Sequence, residues 1–264
     1  MKGWELMKNL LREKMEAHEQ LRGTHVCMSD SSICELIGGL GFDFIWIDME
    51  HSYLSCETVH RHIIAARAAN TASLIRLPQD DLTVTKKVLE MGPDAVIFPM
   101  ITSAGQADKL IRTTLYPPDG DRGFGPMRAI RYGLDDAVEY IDKKSLDLCR
   151  FIQIEHKDAV ENLEELVQNP FIDGYIFGPN DLSGSIGKLG RMYDPECVAL
   201  IQKAAGILKH HGKNFGVSLG GCEEGALRFW KELGANILSS GTDYRYILNG
   251  AKAVYNTIKM VQEE

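Results

Sequence analysis

The stretch "FDFIWIDMEHSYLSCETVHRHIIAARAANTASLIRL" (residues 42–77) decides the fold, because it holds an apolar run, a helical segment and a second apolar run in direct succession. Phe44-Ile45-Trp46-Ile47 is apolar at every position, the mark of a strand buried on both faces. Such strands alternating with helices build a parallel sheet. The first run ends abruptly in Asp48, Glu50 and His51, which read equally as metal ligands, an acid/base set or a polar rim on a core strand.

Working outward, six more short apolar or β-branched runs appear. They are "GTHVCM" (23–28), "AVIFPM" (95–100), "RFIQIE" (150–155), "GYIFG" (174–178), "FGVSL" (215–219) and "ANILSS" (235–240). Helix-like segments lie between most of them, including "DLTVTKKVLEMG" (81–92), "KDAVENLEELVQNP" (157–170) and "PECVALIQKAAGILKHHG" (195–212). Eight such units in one chain fit a (β/α)₈ barrel better than a doubly wound sheet. The latter needs a G-x-G-x-x-G turn after its first strand, and "MSDSSICELIGG" (28–39) supplies none. "SGSIGKLG" (183–190) lacks the glycine spacing and the Ser/Thr of a phosphate-binding loop. Ahead of the barrel, Trp4, Met7, Leu10, Leu11, Met15 and His18 fall at helical spacing, which predicts an amphipathic helix over 4–18. No linker divides the chain, so residues 1–264 are expected to form a single barrel domain.

Composition is that of an ordinary globular protein, 44% hydrophobic and 25% charged. A formal charge of -8 without a basic, aromatic-studded cluster speaks against nucleic acid. No apolar run reaches the roughly 20 residues that cross a bilayer, and the first twenty residues carry charges throughout, unlike a signal peptide. A cytoplasmic protein is expected. The 6 cysteines form no C-x-x-C pair, which argues against a disulfide framework or a thiolate zinc site.

In a barrel of this kind the chemistry sits at the C-terminal strand ends. Polar groups gather there: Asp48, Glu50 and His51, then Arg76, then Gln153 and Glu155, then Asn180 and Asp181. Glu155 and Asp181 end adjacent strands, and two carboxylates that close resist joint ionisation without a cation. A hard divalent ion takes one or two carboxylates and leaves its other positions to water and substrate oxygens. The alternative is that each carboxylate caps the helix after its strand. Gly178, before Pro179, Asn180 and Asp181, lets a backbone approach an anionic ligand. Arg76 reads either as the salt-bridge partner of Asp48 or Glu50, or as a fixed positive charge for a developing oxyanion. No apolar run holds a lysine, so Schiff-base chemistry is disfavoured against metal-assisted chemistry. The Pro/Gly-rich stretch "YPPDGDRGFGPMRAIRYG" (116–133) falls on the opposite, helix-to-strand side, as a surface excursion or a functional loop.

Six segments in register, "GFDFIWIDMEHS", "LIRLP", "VLEMGPDAVIFPM", "YPPDGDRGFGP", "QIEHKDAVENLEEL" and "DGYIFGPNDLSGSIGKLG", resemble the HpcH/HpaI aldolases, over about residues 20–245. These are class II, metal-dependent pyruvate aldolases, such as 4-hydroxy-2-oxoheptanedioate and 2-dehydro-3-deoxyglucarate aldolases, on a phosphoenolpyruvate/pyruvate-type barrel. The resemblance implies Glu155 and Asp181 as ligands of Mg²⁺, Mn²⁺ or Co²⁺. It implies Gln153, Gly178, Asn180 and Ser218 around the substrate, and Arg76 as the enolate stabiliser. His51 becomes the base, oriented by Glu90, where many members carry Asp. It further implies a homohexamer, with residues near Phe124 at a neighbouring active site. The expected reaction is reversible cleavage of 4-hydroxy-2-oxo acids to pyruvate and an aldehyde. The competing readings are an acyl-CoA-type carbon–carbon lyase, an oxaloacetate decarboxylase using the same enolate, and a catalytically silent barrel.

Overall fold

The computed structural model describes residues 8–263. Its strands are β1 (Leu21–Val26), β2 (Phe44–Asp48), β3 (Ala72–Arg76), β4 (Ala95–Phe98), β5 (Cys149–Ile154), β6 (Gly174–Phe177), β7 (Asn214–Leu219) and β8 (Ile237–Thr242). They close in sequence order, all parallel, with β8 beside β1: the expected (β/α)₈ barrel. Strand ends move by at most two residues from the expected runs. β8 starts late because Ala235 N still bonds Trp230 O to close the preceding helix.

Side-chain alternation divides each strand between two cores. Phe44, Trp46, Leu74, Ile97, Phe151 and Ile176 fill the barrel interior. Ile45, Ile47, Ile75, Val96, Ile152 and Val217 pack outward under the helices. Full burial of one such side chain stabilises by roughly 1.5–3 kcal/mol. Gly23 makes room for this filling: a Cβ there would lie 2.2 Å from the Phe44 ring. The same parity carries on past the apolar layers. Two residues beyond Trp46 and Leu74 it turns Asp48 and Arg76 inward, and two beyond Phe151 it turns Gln153 inward.

The base is plugged by a helix shorter than the expected 4–18. It spans Arg12–Glu16, and the expected residues before 8 lie outside the described part. Asn9 marks its late start, its Oδ1 accepting from Leu11 N and Arg12 N while its amide bonds Asp94 O and Asp147 O. Leu11 and Met15 close the floor of the barrel.

The 116–133 stretch packs at the base, where Arg122 donates to Leu89 O and Arg128 to Met91 O. It ends in a kinked 3₁₀ segment, Arg128–Gly133, with Arg131 and Tyr132 at positive φ. The helix after β8, Asp243–Glu263, departs from the pattern of the barrel, since of its residues only Asp243 is buried.

Candidate active site

Register builds the first part of the site. Asp48 and Arg76 are direct partners across the β2–β3 ladder. Arg76 donates from Nε to Asp48 Oδ1 (2.9 Å) and from Nη2 to Asp48 Oδ2 (2.6 Å), a bidentate pair of the strong, directional kind. Its Nη1 lies 3.0 Å from Glu50 Oε2, which makes no aligned hydrogen bond. The guanidinium also stands over the Trp46 ring, 5.6 Å from its centroid. Burial works against the Arg76 charge, but the hydrogen bonds and charge of Asp48 more than offset it and raise its pKa. Burial likewise opposes Asp48 ionisation, and Arg76 overrides it, so that carboxyl is held below its ordinary range. The salt-bridge reading of Arg76 is the one the geometry shows, and the bridge fixes where the positive charge points.

Glu155 follows β5 and is 2% exposed. Its Oε1 accepts from Met100 N (2.5 Å) and its Oε2 from Gln153 Nε2 (2.8 Å). Burial, followed by the charges of Glu50 and Asp181, pushes its carboxyl up to about 7, against the pull of the Met100 amide. Burial raises Glu50 too, with Asp48 and Asp181 adding to it. Gly178 lets Glu155 sit there: a Cβ at 178 would lie 2.6 Å from Glu155 Oε2.

Neither carboxylate of the expected metal pair caps a helix. His156 caps Lys157–Glu161, accepting from Asp158 N, and Pro179–Gly184 has no side-chain cap although Asp181 lies in its first turn. Asp181 and Asn180 are exposed toward solvent, while Gln153 is buried with Oε1 lacking any partner among the described residues. Among the described residues, no group of three or more His, Cys, Asp and Glu side chains is arranged to hold a metal. The donors fit a hard cation that uses only two of them: mutually repelling carboxylates beside an unpartnered amide oxygen form a site short of positive charge.

His51 stands past the end of β2, largely exposed, with Glu50 Oε2 3.8 Å from its Nε2. Glu90 is not brought to it within one chain. It ends the helix Leu82–Glu90 at the base of the barrel, where its Oε1 lies 3.4 Å from Arg122 Nη2. Within one chain the expected pair is therefore held apart: the helix after a barrel strand runs back down, so its last residue faces away from the strand ends. Arg122, from the 116–133 stretch, is itself buried between Tyr116 and Tyr140. Phe124, in the same stretch, is 69% exposed.

Sequence reasoning missed His25, on β1. It points inward, its ring 5.1 Å from that of Trp46. Its Nδ1 lies 2.8 Å from Gly241 O and its Nε2 2.9 Å from Ser218 Oγ. The only signal was one imidazole inside "GTHVCM". Asp243 was also missed; its buried carboxylate accepts from Cys27 N and Met28 N and ties β1 to the end of β8.

Fold and site together describe a parallel (β/α)₈ barrel with a carboxylate cluster and a fixed guanidinium at its strand ends. The HpcH/HpaI aldolase/citrate lyase family model matches residues 23–249, and the chain belongs to that family. It is 31% identical over 248 residues to a 4-hydroxy-2-oxo-heptane-1,7-dioate aldolase of Shigella flexneri, covering 94% of this chain and 92% of that one. It is 28% identical over 246 residues to a hydroxypyruvate/pyruvate aldolase of Roseobacter denitrificans, covering 93% and 95%. The crystal structure of an HpcH/HpaI aldolase from Desulfitobacterium hafniense superposes with a TM-score of 0.86 at 25% identity, covering 94% of this chain and 96% of that one. The protein is accordingly an aldehyde-lyase by family. Among the described residues no helix is long and apolar enough to cross a membrane.

Proposed function

We propose that this chain is a divalent-metal-dependent aldolase that reversibly cleaves 4-hydroxy-2-oxo acids into pyruvate and an aldehyde. The observation that carries the reading is Glu155, a buried carboxylate raised to about 7 among other carboxylates and serving no helix cap. Glu155 and Asp181 would hold Mg²⁺, Mn²⁺ or Co²⁺. A bound ion would supply Lewis-acid polarisation of the 2-keto group. Gln153, with its free Oε1, and the backbone around Gly178 and Asn180 orient the 2-oxo acid. Ser218 closes the pocket from β7.

When the C3–C4 bond breaks, negative charge grows on the 2-keto oxygen. Arg76, oriented by Asp48, faces that charge at no reorganisation cost. His51 takes the proton of the C4 hydroxyl, the electron pair of the broken bond passes to C3 and the keto group, and C3 then takes up a proton from solvent to give pyruvate. The Glu90 carboxylate that orients His51 comes from a second copy, since the two stand at opposite ends of one barrel.

The working assembly is a homohexamer in the cytoplasm, with Phe124 of one copy near the mouth of another. Support for self-association comes from the helix Asp243–Glu263, whose Ile247, Val254, Ile258 and Val261 are all exposed. The relatives named as a 4-hydroxy-2-oxo-heptane-1,7-dioate aldolase and a hydroxypyruvate/pyruvate aldolase support a small 2-oxo acid substrate.

The test is to strip the protein with a chelator and restore each metal in turn, following pyruvate release from a panel of 4-hydroxy-2-oxo acids. Activity should vanish and return with at least one divalent ion. Full activity after stripping would overturn the reading.

A further inference from the structure

Apart from Phe124, the Pro/Gly-rich stretch 116–133 has no part in the scheme above, although connections of this length inside a compact domain are uncommon without a task. Its first half is a tight turn folded back on the helix Ala104–Arg112. Gly120 N donates to Tyr116 O, Asp121 N to Arg112 O and Arg122 N to Leu115 O. Gly120 permits that approach, since a Cβ there would lie 2.3 Å from Arg112 O and 2.4 Å from Leu115 O. The turn delivers one side chain to the interior at the base of the barrel, Arg122, which is 5% exposed.

Arg122 is a buried cation with a thin set of partners. Its guanidinium lies 4.6 Å from the Tyr116 ring centroid and 5.7 Å from that of Tyr140, contacts that favour a desolvated positive charge. Its polar contacts are long. Nη2 stands 3.3 Å from Leu89 O, 3.3 Å from Tyr140 Oη and 3.4 Å from Glu90 Oε1, and Nε has no partner among the described residues. A neutral donor would suffice to tie the turn to the Leu89 carbonyl. A charge at a buried position calls for an opposite charge, and here that is Glu90.

Glu90 has the complementary deficit. Its Oε2 has no partner among the described residues, so the carboxylate keeps an unspent acceptor. It lines a cavity of about 570 Å³ between the helices Cys56–Ala68 and Leu82–Glu90, whose wall also carries Lys87, Arg128, His60 and Tyr132. Burial pushes the carboxyl up, and the charge and hydrogen bond of Arg122 oppose that rise, followed by the charge of Lys86 one turn back on the same helix.

We propose that Arg122 is a positioning residue for aldol cleavage: it holds the Glu90 carboxylate ionised and in place, so that Glu90 orients His51 of a second copy and balances the imidazolium formed when His51 takes the C4 proton. No proton moves beyond His51, and Glu90 stays ionised throughout. The inference rests on the reading above in which Glu90 and His51 meet across copies. The task of the 116–133 turn is then to serve the chemistry of a neighbour from the end of the barrel opposite its own strand ends.

The test follows two rates of the metal-loaded enzyme from pH 6 to 9, aldol cleavage and exchange of the pyruvate methyl protons. Arg122→Met keeps the length of the side chain between the two tyrosines, and Arg122→Gln keeps a donor. Both should lift the acid limb of the cleavage profile by about one pH unit or more, the usual pull of an opposite charge at this range. Cleavage then falls about tenfold on the acid side and recovers at high pH. Arg122→Lys, which keeps a charge, should hold the limb nearer that of the wild type. Glu90→Gln should lower cleavage at every pH, and adding Arg122→Met to it should cost nothing more, because the two residues act as one unit. Methyl exchange calls on Arg76 and not on His51, so it should persist in each variant and reports that the barrel is folded. An unmoved acid limb in both Arg122 variants overturns the proposal, as do additive losses in the double variant. Loss of exchange together with cleavage in both overturns it too, and assigns Arg122 to folding alone. Full cleavage by Glu90→Gln sinks the pairing of Glu90 with His51 and this inference with it, whereas no cleavage by the wild type with any metal sinks the aldolase reading as well.

Discussion

Arg76 and His51 carry different halves of the proposed chemistry, and the two halves are separable at the bench. Arg76 faces charge on the 2-keto oxygen, which develops both in bond cleavage and in simple exchange of the pyruvate methyl protons. Arg76→Ala should therefore lower both rates, by roughly 10²–10³-fold for the loss of one such donor. His51→Ala should lower only cleavage, by roughly 10²–10⁴-fold for a general base, and leave methyl exchange standing. Equal loss of exchange in the two variants, read by NMR in deuterated buffer, would reject the division. His25 gives a prediction about stability. Its pKa is about 4 in the folded chain against an ordinary 6.5, because burial disfavours the charged ring and Arg76 adds to this, while Gly241 O, Asp48 and Asp243 pull the other way. Between those values the unfolded chain binds a proton that the folded chain refuses. The contribution is thus fully present above about pH 6.5 and is lost as pH falls toward 4. It amounts to at most roughly 3 kcal/mol. Urea midpoints measured from pH 7 to 4 should fall for the wild type, and less steeply for His25→Gln.

At the scale of elements, Gly178 shows how much a strand end decides. A methyl group there would stand 2.6 Å from Glu155 Oε2 and 3.0 Å from Glu155 Cβ, so Gly178→Ala must push the carboxylate out of place. Displacing a supporting contact of a metal ligand typically costs roughly 10–100-fold in affinity. Calorimetric titration of the stripped variant with Mn²⁺ should show a loss of that order, and unchanged affinity would remove Glu155 from the metal site. The sequence made such strand ends legible because both-face burial writes an unbroken apolar run, and alternation then says which polar residue turns inward. Asp48, Arg76, Gln153 and Glu155 could all be read this way. His25 could not, because an imidazole in an apolar run has the same appearance whether it is silent filling or bonded to polar neighbours. Glu90 was legible as an acid but not as a distant one: the direction of a returning helix sends its last residue to the base, where Arg122 meets it. The short N-terminal helix escaped for a local reason, since Asn9 satisfies two backbone amides that a longer helix would have bonded to its own carbonyls.

Across the whole molecule one helix is out of keeping with the rest. Ile247, Ala251, Val254, Ile258 and Val261 recur at alternating four- and three-residue spacing, the seam by which a helix packs against a partner. The pattern is plain in the sequence, yet the helix Asp243–Glu263 leaves it in solvent, with Val254 60%, Ile258 52% and Val261 63% exposed. The barrel shows a matching deficit. Leu36 and Leu40, at the helix between β1 and β2, are 70% and 73% exposed, and outward-facing Leu238 of β8 is only half-buried. One apolar helix without a seat and one barrel flank without a cover, both present once per chain, are complementary in a closed assembly of identical copies. The partner argued for is a second copy of this chain. Replacing Ile258 and Val261 together by glutamate removes roughly 3–6 kcal/mol of burial per helix, which weakens association by a hundredfold or more. Light scattering behind size exclusion should then show a smaller species at micromolar concentration, with a far-ultraviolet circular dichroism spectrum like that of the wild type. Because the proposed base also needs Glu90 from a neighbour, aldol cleavage should fall with the assembly while the metal affinity of a single barrel persists. An unchanged mass in the double variant would leave the helix as a free appendage and would require another source for the acid that orients His51.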